Sequence, residues 1–289
     1  MPDQRGARVD VHVHPTRFST HGATFAEKNR IEFTPAGLLR EMDALGIGWA
    51  VFLCPRLAPT LAEGLADVSS VATASGGRLL PTGTVDPTRG EPEVAHAIEL
   101  WSGASPRLRG IKLYPGYHPF DVTDARLEPV YQWAEEQKVP VWVHQGDTSD
   151  PDGLLRFTRP ILLDEVAVRW RAVRFVLCHV GNPWMEEAAE VVYKNENVYT
   201  DTSGLLNPFA ERYEAQVHRM RTRLHHAVLA VGDVRKVLYG SDWPISSLVD
   251  AVRLVDGLDL PRADKERILG GNARELLGLT DTAPQQQTS

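Results

Sequence analysis

The sequence has no run approaching the roughly 20 apolar residues that a bilayer-spanning helix needs. No apolar signal core stands in its first residues, MPDQRGARVDVHVHP. Neither a membrane span nor a secretory leader is therefore expected. Cysteine is scarce: Cys54 and Cys178 are the only two in 289 residues. Two thiols make no disulfide framework, so a reduced, cytoplasmic setting is the simpler expectation. Basic runs and stripes are also missing, and the net charge is −7. Nucleic acid and anionic membranes demand clustered Lys and Arg, so neither is expected as a partner. No GxGxxG or P-loop pattern follows the first β-rich run, which removes the main nucleotide-binding folds. What remains is an ordinary globular composition, 43% apolar and 24% charged, with material for a large core.

Short β-rich runs alternate with helical patterns from end to end. The pattern predicts strands near 8–14, 47–54, 78–85, 109–114, 139–144, 174–179, 196–201 and 235–241. Between them lie segments with apolar residues at helical spacing, such as 35–45, 125–137, 161–171 and 184–194. Thr34 and Pro35 supply an N-cap and a first-turn proline for the first of these. Strands alternating with helices imply a parallel sheet, either an open doubly wound sheet or a closed barrel. Two observations favour a single-domain (β/α)8 TIM barrel. The strand count is eight, and the residues with chemical potential all sit at C-terminal strand ends, which a barrel gathers into one mouth. The barrel is expected over 1–279, with short helices in 262–279 closing the chain. Residues 280–289 are read as a polar tail.

His12 and His14, one residue apart on a strand, should point to one face, with Asp10 a step deeper. Such a pair alone is weak evidence for a metal. His144 and His179 each end an apolar run, and either alone reads as a core histidine bonded to the backbone. Asp242, after LYGS, could simply cap the next helix. Taken together, four of the ten histidines and one Asp stand at equivalent ends of strands one, five, six and eight. That coincidence favours one divalent metal held by His12, His14, His144, His179 and Asp242, with zinc the default for imidazole and carboxylate donors. Asp242 is also the candidate base for a metal-activated water. Cys178, next to His179, should face the other way and serve packing.

In this order DVHVHP, GIKLYPGY, VPVWVHQGD, VLCHVG, NVYTDTSG and LYGSDWP resemble the amidohydrolase superfamily, specifically its amidohydrolase-related branch of TIM-barrel enzymes. That branch includes lactone hydrolases and nonoxidative decarboxylases such as aminocarboxymuconate-semialdehyde decarboxylase. The resemblance covers nearly the whole chain. It implies that His12, His14, His144, His179 and Asp242 occupy the branch's ligand and base positions. Lys112, in GIKLYP, falls where binuclear members of the superfamily carry a carboxylated lysine bridging two metals. A free ammonium about 6 Å from a divalent ion would be repelled by roughly 5 kcal/mol at an effective dielectric near 20. Lys112 is then carboxylated with a second ion, deprotonated, turned away, or paired with an anionic substrate. The plainer alternative is that it snorkels toward the mouth.

The loops after the strands carry Arg17, His21 and Lys28 in a long first loop (15–34), then Arg56, Tyr114, Tyr117, His118 and Trp243. Arg56, Tyr114, His118 and Trp243 are the candidate substrate-binding residues, and basic groups at a metal mouth suit a substrate carboxylate. The expected activity is hydrolysis of a small ester, lactone or amide. The alternatives are nonoxidative decarboxylation of an unsaturated or aromatic acid, and a metal-binding barrel without catalysis. A DNase-like reading fits poorly, because Lys112 replaces a Glu and the net charge is negative. The partner is a small molecule, and a homodimer fits the commonest oligomer symmetry.

Overall fold

The computed structural model describes residues 8–280; the expected tail lies almost wholly outside the described residues. Parallel strands run in chain order as β1 (Arg8–Val13), β2 (Ile47–Phe52), β3 (Leu79–Pro81), β4 (Gly83–Thr84), β5 (Ile111–Leu113), β6 (Val141–Val143), β7 (Phe175–Leu177), β8 (Val198–Asp201) and β9 (Val237–Leu238). β3 and β4 are two halves of one stave. Between them Thr82 donates its N–H to Phe52 O (3.2 Å), while Gly83 N–H turns to Gly110 O (2.9 Å). Eight staves result, each joined only to its sequence neighbours. The last meets the first: Val11 N–H donates to Tyr239 O (2.9 Å), and Asp242 N–H to His12 O (2.8 Å). The sheet is closed, and the fold is a TIM barrel.

Strand sides sort the core into two layers. Val9, Val51, Trp142, Val176 and Leu238 fill the barrel interior, and the final helix (Asn272–Leu277) adds Ala273, Leu276 and Leu277 to the same cluster. That helix plugs the end opposite the site. Arg109 and Arg174, just before β5 and β7, donate to the carbonyls of Leu277 and Leu276. Residues of opposite parity, such as Ile111, Val141 and Phe175, pack outward against the helices.

Local chemistry sets the helix ends. Thr34 Oγ1 accepts from Gly37 N–H (2.9 Å), Pro35 starts helix Pro35–Leu45, and Gly46 ends it at φ 67°. The long first loop contains a helix that its pattern did not announce, Thr20–Asn29, capped by Ser19. Asn29 ties it to the carbonyls of Pro244 and Ile245 at 2.9 Å each, beside the last stave. No helix among the described residues is long and apolar enough to cross a membrane.

Candidate metal centre

Five expected ligands meet at the mouth. Between Asp10 and Val13 the pairing of β1 with β2 slips, three steps on one strand against two on the other. Beyond that bulge Val13 packs outward, and the His12 and His14 rings stand 5.1 Å apart over the barrel. Asp242 takes φ 64°, a left-handed turn. This brings its Oδ1 to 3.5 Å from His12 Nε2 and 3.2 Å from His14 Nε2. His144 follows β6, and its Nδ1 faces His179 Nε2 at 3.1 Å. His12 and His179 ring centroids are 4.8 Å apart, which joins the two groups.

Hydrogen bonds fix which nitrogen each ring offers. His12 Nδ1–H donates to Asp201 Oδ2 (3.0 Å), leaving Nε2 as the free donor atom. His144 Nε2–H donates to Asp147 O (3.0 Å), and His179 Nδ1–H to Ser203 O (3.2 Å). Asp201 is fully buried and also accepts from the backbone N–H groups of His179 (2.9 Å) and Ser203 (3.1 Å). One carboxylate therefore orients two of the expected ligands, in the way outer-shell carboxylates of metal sites do.

Burial, then the positive charge of Lys112, pushes the His12 imidazole down to about 3, against the opposing carboxylates of Asp201 and Asp242. Burial likewise lowers His144 and His179. All three are therefore neutral at pH 7, the form that coordinates a metal. Burial works against ionisation of Asp242, but His12, His14 and His179 outweigh it and hold the carboxyl well below its usual range.

The donor set fits a divalent ion. His144 Nδ1 and His179 Nε2 both present lone pairs, because their opposite nitrogens carry the protons. At 3.1 Å the two nitrogens can share one proton as a hydrogen bond or, with both lone pairs free, a cation that lies beside both. Nitrogens each about 2.1 Å from a shared ion are brought to such separations. His12, His14 and Asp242 place their donor atoms within 4.8 Å of one another.

A family model described as amidohydrolase matches residues 9–279. The chain belongs to the amidohydrolase family. Its match to a gamma-resorcylate decarboxylase of a Polaromonas species is 26% identical over 178 residues, 54% of this chain and 47% of that relative. It thus spans about half of that relative's length. A TIM-barrel protein of Bordetella bronchiseptica superposes with a TM-score of 0.74 at 22% identity, over 94% of this chain and 98% of that one. A dihydroxybenzoic acid decarboxylase of Polaromonas, solved with manganese and the inhibitor 2-nitroresorcinol, gives 0.68 at 15% identity, over 95% and 97%.

In this amidohydrolase-family chain a cavity of about 260 Å³ opens above the expected ligands. Phe18, Phe25, Tyr114 and Tyr117 wall it, and Lys112 lies in its floor. Arg56 stands at the cavity over the Tyr117 ring (4.3 Å) and pairs with Asp150 (2.9 Å). Tyr114 donates its hydroxyl to Cys54 O (2.7 Å) and keeps its ring toward the cavity.

Two expected substrate contacts do not reach this cavity. Trp243 follows the left-handed turn at Asp242 and is thrown outward into the core. It packs on Phe33 (5.5 Å) and points its indole N–H at Glu41 (3.3 Å). His118 pairs with Asp86 (3.2 Å) at a separate small cavity behind Arg56. Asp10 does not face the mouth either. Its Oδ1 accepts from the N–H groups of His12 (3.0 Å) and Ser241 (3.1 Å), on the seam between first and last staves. Arg17 and Lys28 rest on Phe18 and Phe209.

Cys178 is the clearest reversal. It continues the inward parity of Val176, and its Sγ lies 3.0 Å from Lys112 Nζ. His179 should then face outward, but φ values of 63° at His179 and 47° at Val180 swing it back over the mouth. Alternation, which set Cys178 outside, ends one residue before His179.

Asp201 and Ser203 were not singled out. The available signal was positional: Asp201 ends its strand as His144 and His179 do.

Proposed function

We propose that this chain removes CO2 without oxidation from a small aromatic or otherwise unsaturated acid, using one divalent ion. The hydrolysis expected from GIKLYP yields to this reading, because the curated relative and the manganese-bound neighbour are both named as decarboxylases of aromatic acids. That neighbour's manganese also displaces zinc as the default ion. The observation that carries the reading is the cavity: a floor of imidazoles, Asp242 and Lys112 beneath Phe18, Phe25, Tyr114 and Tyr117. A flat ring slots between aromatic walls, and its acidic oxygens meet the polar floor.

His12, His14, His144, His179 and Asp242 would hold the ion. When bound, it supplies a Lewis acid that withdraws electron density from substrate oxygens. Lys112 contributes donors from below, and Arg56 offers a fork for an acidic group at the rim once Asp150 yields its place. Apolar walls keep water from the reacting carbon and favour conversion of a charged carboxylate into neutral CO2. Asp242 is ionised at rest and accepts the proton of a ring hydroxyl as substrate settles. When the carbon–carboxylate bond breaks, its electron pair stays on the ring carbon and CO2 departs. Asp242 then returns the proton to that carbon.

The test is an assay of manganese-loaded enzyme on 2,6-dihydroxybenzoate, other hydroxylated benzoates and a set of lactones. Release of CO2 with the matching phenol is expected. Opening of a lactone with acid release, and no CO2 from any aromatic acid, would restore the hydrolase reading.

A further inference from the structure

We infer that the barrel floor holds a second, softer seat for a metal ion, formed by Cys178 with His12 and His179. The ligating atoms of these three residues lie within 4.8 Å of one another, and all three side chains are buried. His12 and His179 belong also to the five-residue centre described above, so the two seats share two imidazoles and compete for them. They differ in chemistry. The upper seat offers nitrogen and carboxylate oxygen, which suit manganese. The lower replaces the carboxylate with sulfur, which selects zinc, cadmium and other thiophilic ions.

The placement of Cys178 is specific. It lies in the barrel interior beneath the cavity, with Lys112 Nζ at 3.0 Å and the Val176 carbonyl at 3.9 Å. Lys112, His12 and His179 line the cavity directly, so an ion that reaches those imidazoles stands next to the thiol. The free thiol gives up its proton only to an ion. Binding then forms a metal–sulfur bond and breaks the S–H bond; the thiol proton and the one that the neighbouring cation displaces from Lys112 leave to solvent through the cavity. No oxidant or reductant is involved. An ion drawn to this seat sits away from Asp242 and deprives the upper seat of His12 and His179. Thiophilic ions therefore hold this protein in an inactive arrangement, and manganese in the working one.

The inference rests on the metal reading of the site and not on decarboxylation. Its test uses the full chain, stripped with chelator and reloaded with one ion at a time. Zinc X-ray absorption is expected to show a sulfur neighbour at about 2.3 Å beside nitrogen neighbours. Cobalt(II) is expected to add a near-ultraviolet sulfur-to-metal charge-transfer band. C178S is expected to lose the sulfur shell and the band, and C54S to keep both. H14A weakens manganese binding, read by electron paramagnetic resonance, and leaves the cobalt band in place, which tests the lower seat even if C178S fails to fold. Nitrogen and oxygen neighbours alone in zinc-loaded wild type would overturn the second seat while leaving the manganese site standing. A protein that takes up no divalent ion would overturn both.

Discussion

Asp242 carries two demands that pull in different directions. Beside His12 and His14 it is a candidate ligand, and facing the cavity it is the proton carrier of the proposed reaction. Asp242→Asn keeps an oxygen near the imidazoles but cannot ferry a proton. Metal content measured by elemental analysis should stay largely intact while kcat falls by about 10²–10⁴, the range for losing a positioned acid–base group. Near-normal turnover would remove Asp242 from the chemistry. Asp201 makes the complementary case, because it does not line the cavity and acts through His12. In Asp201→Asn the amide accepts from His12 less strongly, and the backbone N–H groups of His179 and Ser203 lose a charged acceptor. Manganese affinity, measured by chelator competition, should drop about 10–100-fold, as for outer-shell partners of other metal sites. Unchanged affinity would mean that packing alone orients His12.

Elements decide which of these residues the sequence could disclose. The (β/α)8 barrel was legible because each stave is an apolar run about 30 residues from the next, and His12, His14, His144 and Asp242 follow from strand ends alone. Cys178 and His179 were not separable in this way. Alternation holds only while the strand lasts, and β7 ends at Leu177. Trp243 and His118 failed for a related reason: a place in the loop after a strand says nothing about where the side chain goes after a turn. Asp201 stayed hidden because its partners lie on β1 and after β7, far away in the chain. The turn after β8 is equally constrained. Gly204 has φ 65°, and a Cβ there would stand 2.7 Å from His179 Nδ1 and 2.9 Å from Asp242 Oδ2. Gly204→Ala adds left-handed strain of about 1–2 kcal/mol to a clash with two of the expected ligands. A lower melting temperature together with lost metal binding is expected. Retention of full metal content would show that the turn after β8 can move aside.

The whole molecule concentrates its polar cost at one point. His12, His144, His179, Asp201 and Asp242 are all buried at the mouth, contributed by staves far apart in the chain. The first and last staves meet there through backbone bonds from Asp242 to His12 and from His14 to Trp243, each 2.8 Å. Without an ion, the ionised Asp242 carboxylate is buried against the imidazole cluster. With one, those groups become a cross-link that only the folded barrel can assemble. An ion that binds the native state alone stabilises it by RT ln(1 + [L]/Kd), about 2.7 kcal/mol at a hundredfold excess over Kd. For a chain of this length, at about 2.1 cal/mol/K of unfolding entropy per residue, that corresponds to a rise of about 4 °C in Tm. Scanning calorimetry of chelator-treated protein should show the lower value, and added manganese should restore the higher one. Asp201→Asn should need more manganese to reach the same Tm, because it weakens binding and leaves the other donors in place. A Tm indifferent to chelator and to added manganese would mean that the clustered imidazoles do not serve to hold a cation, and the proposed chemistry would lose its centre.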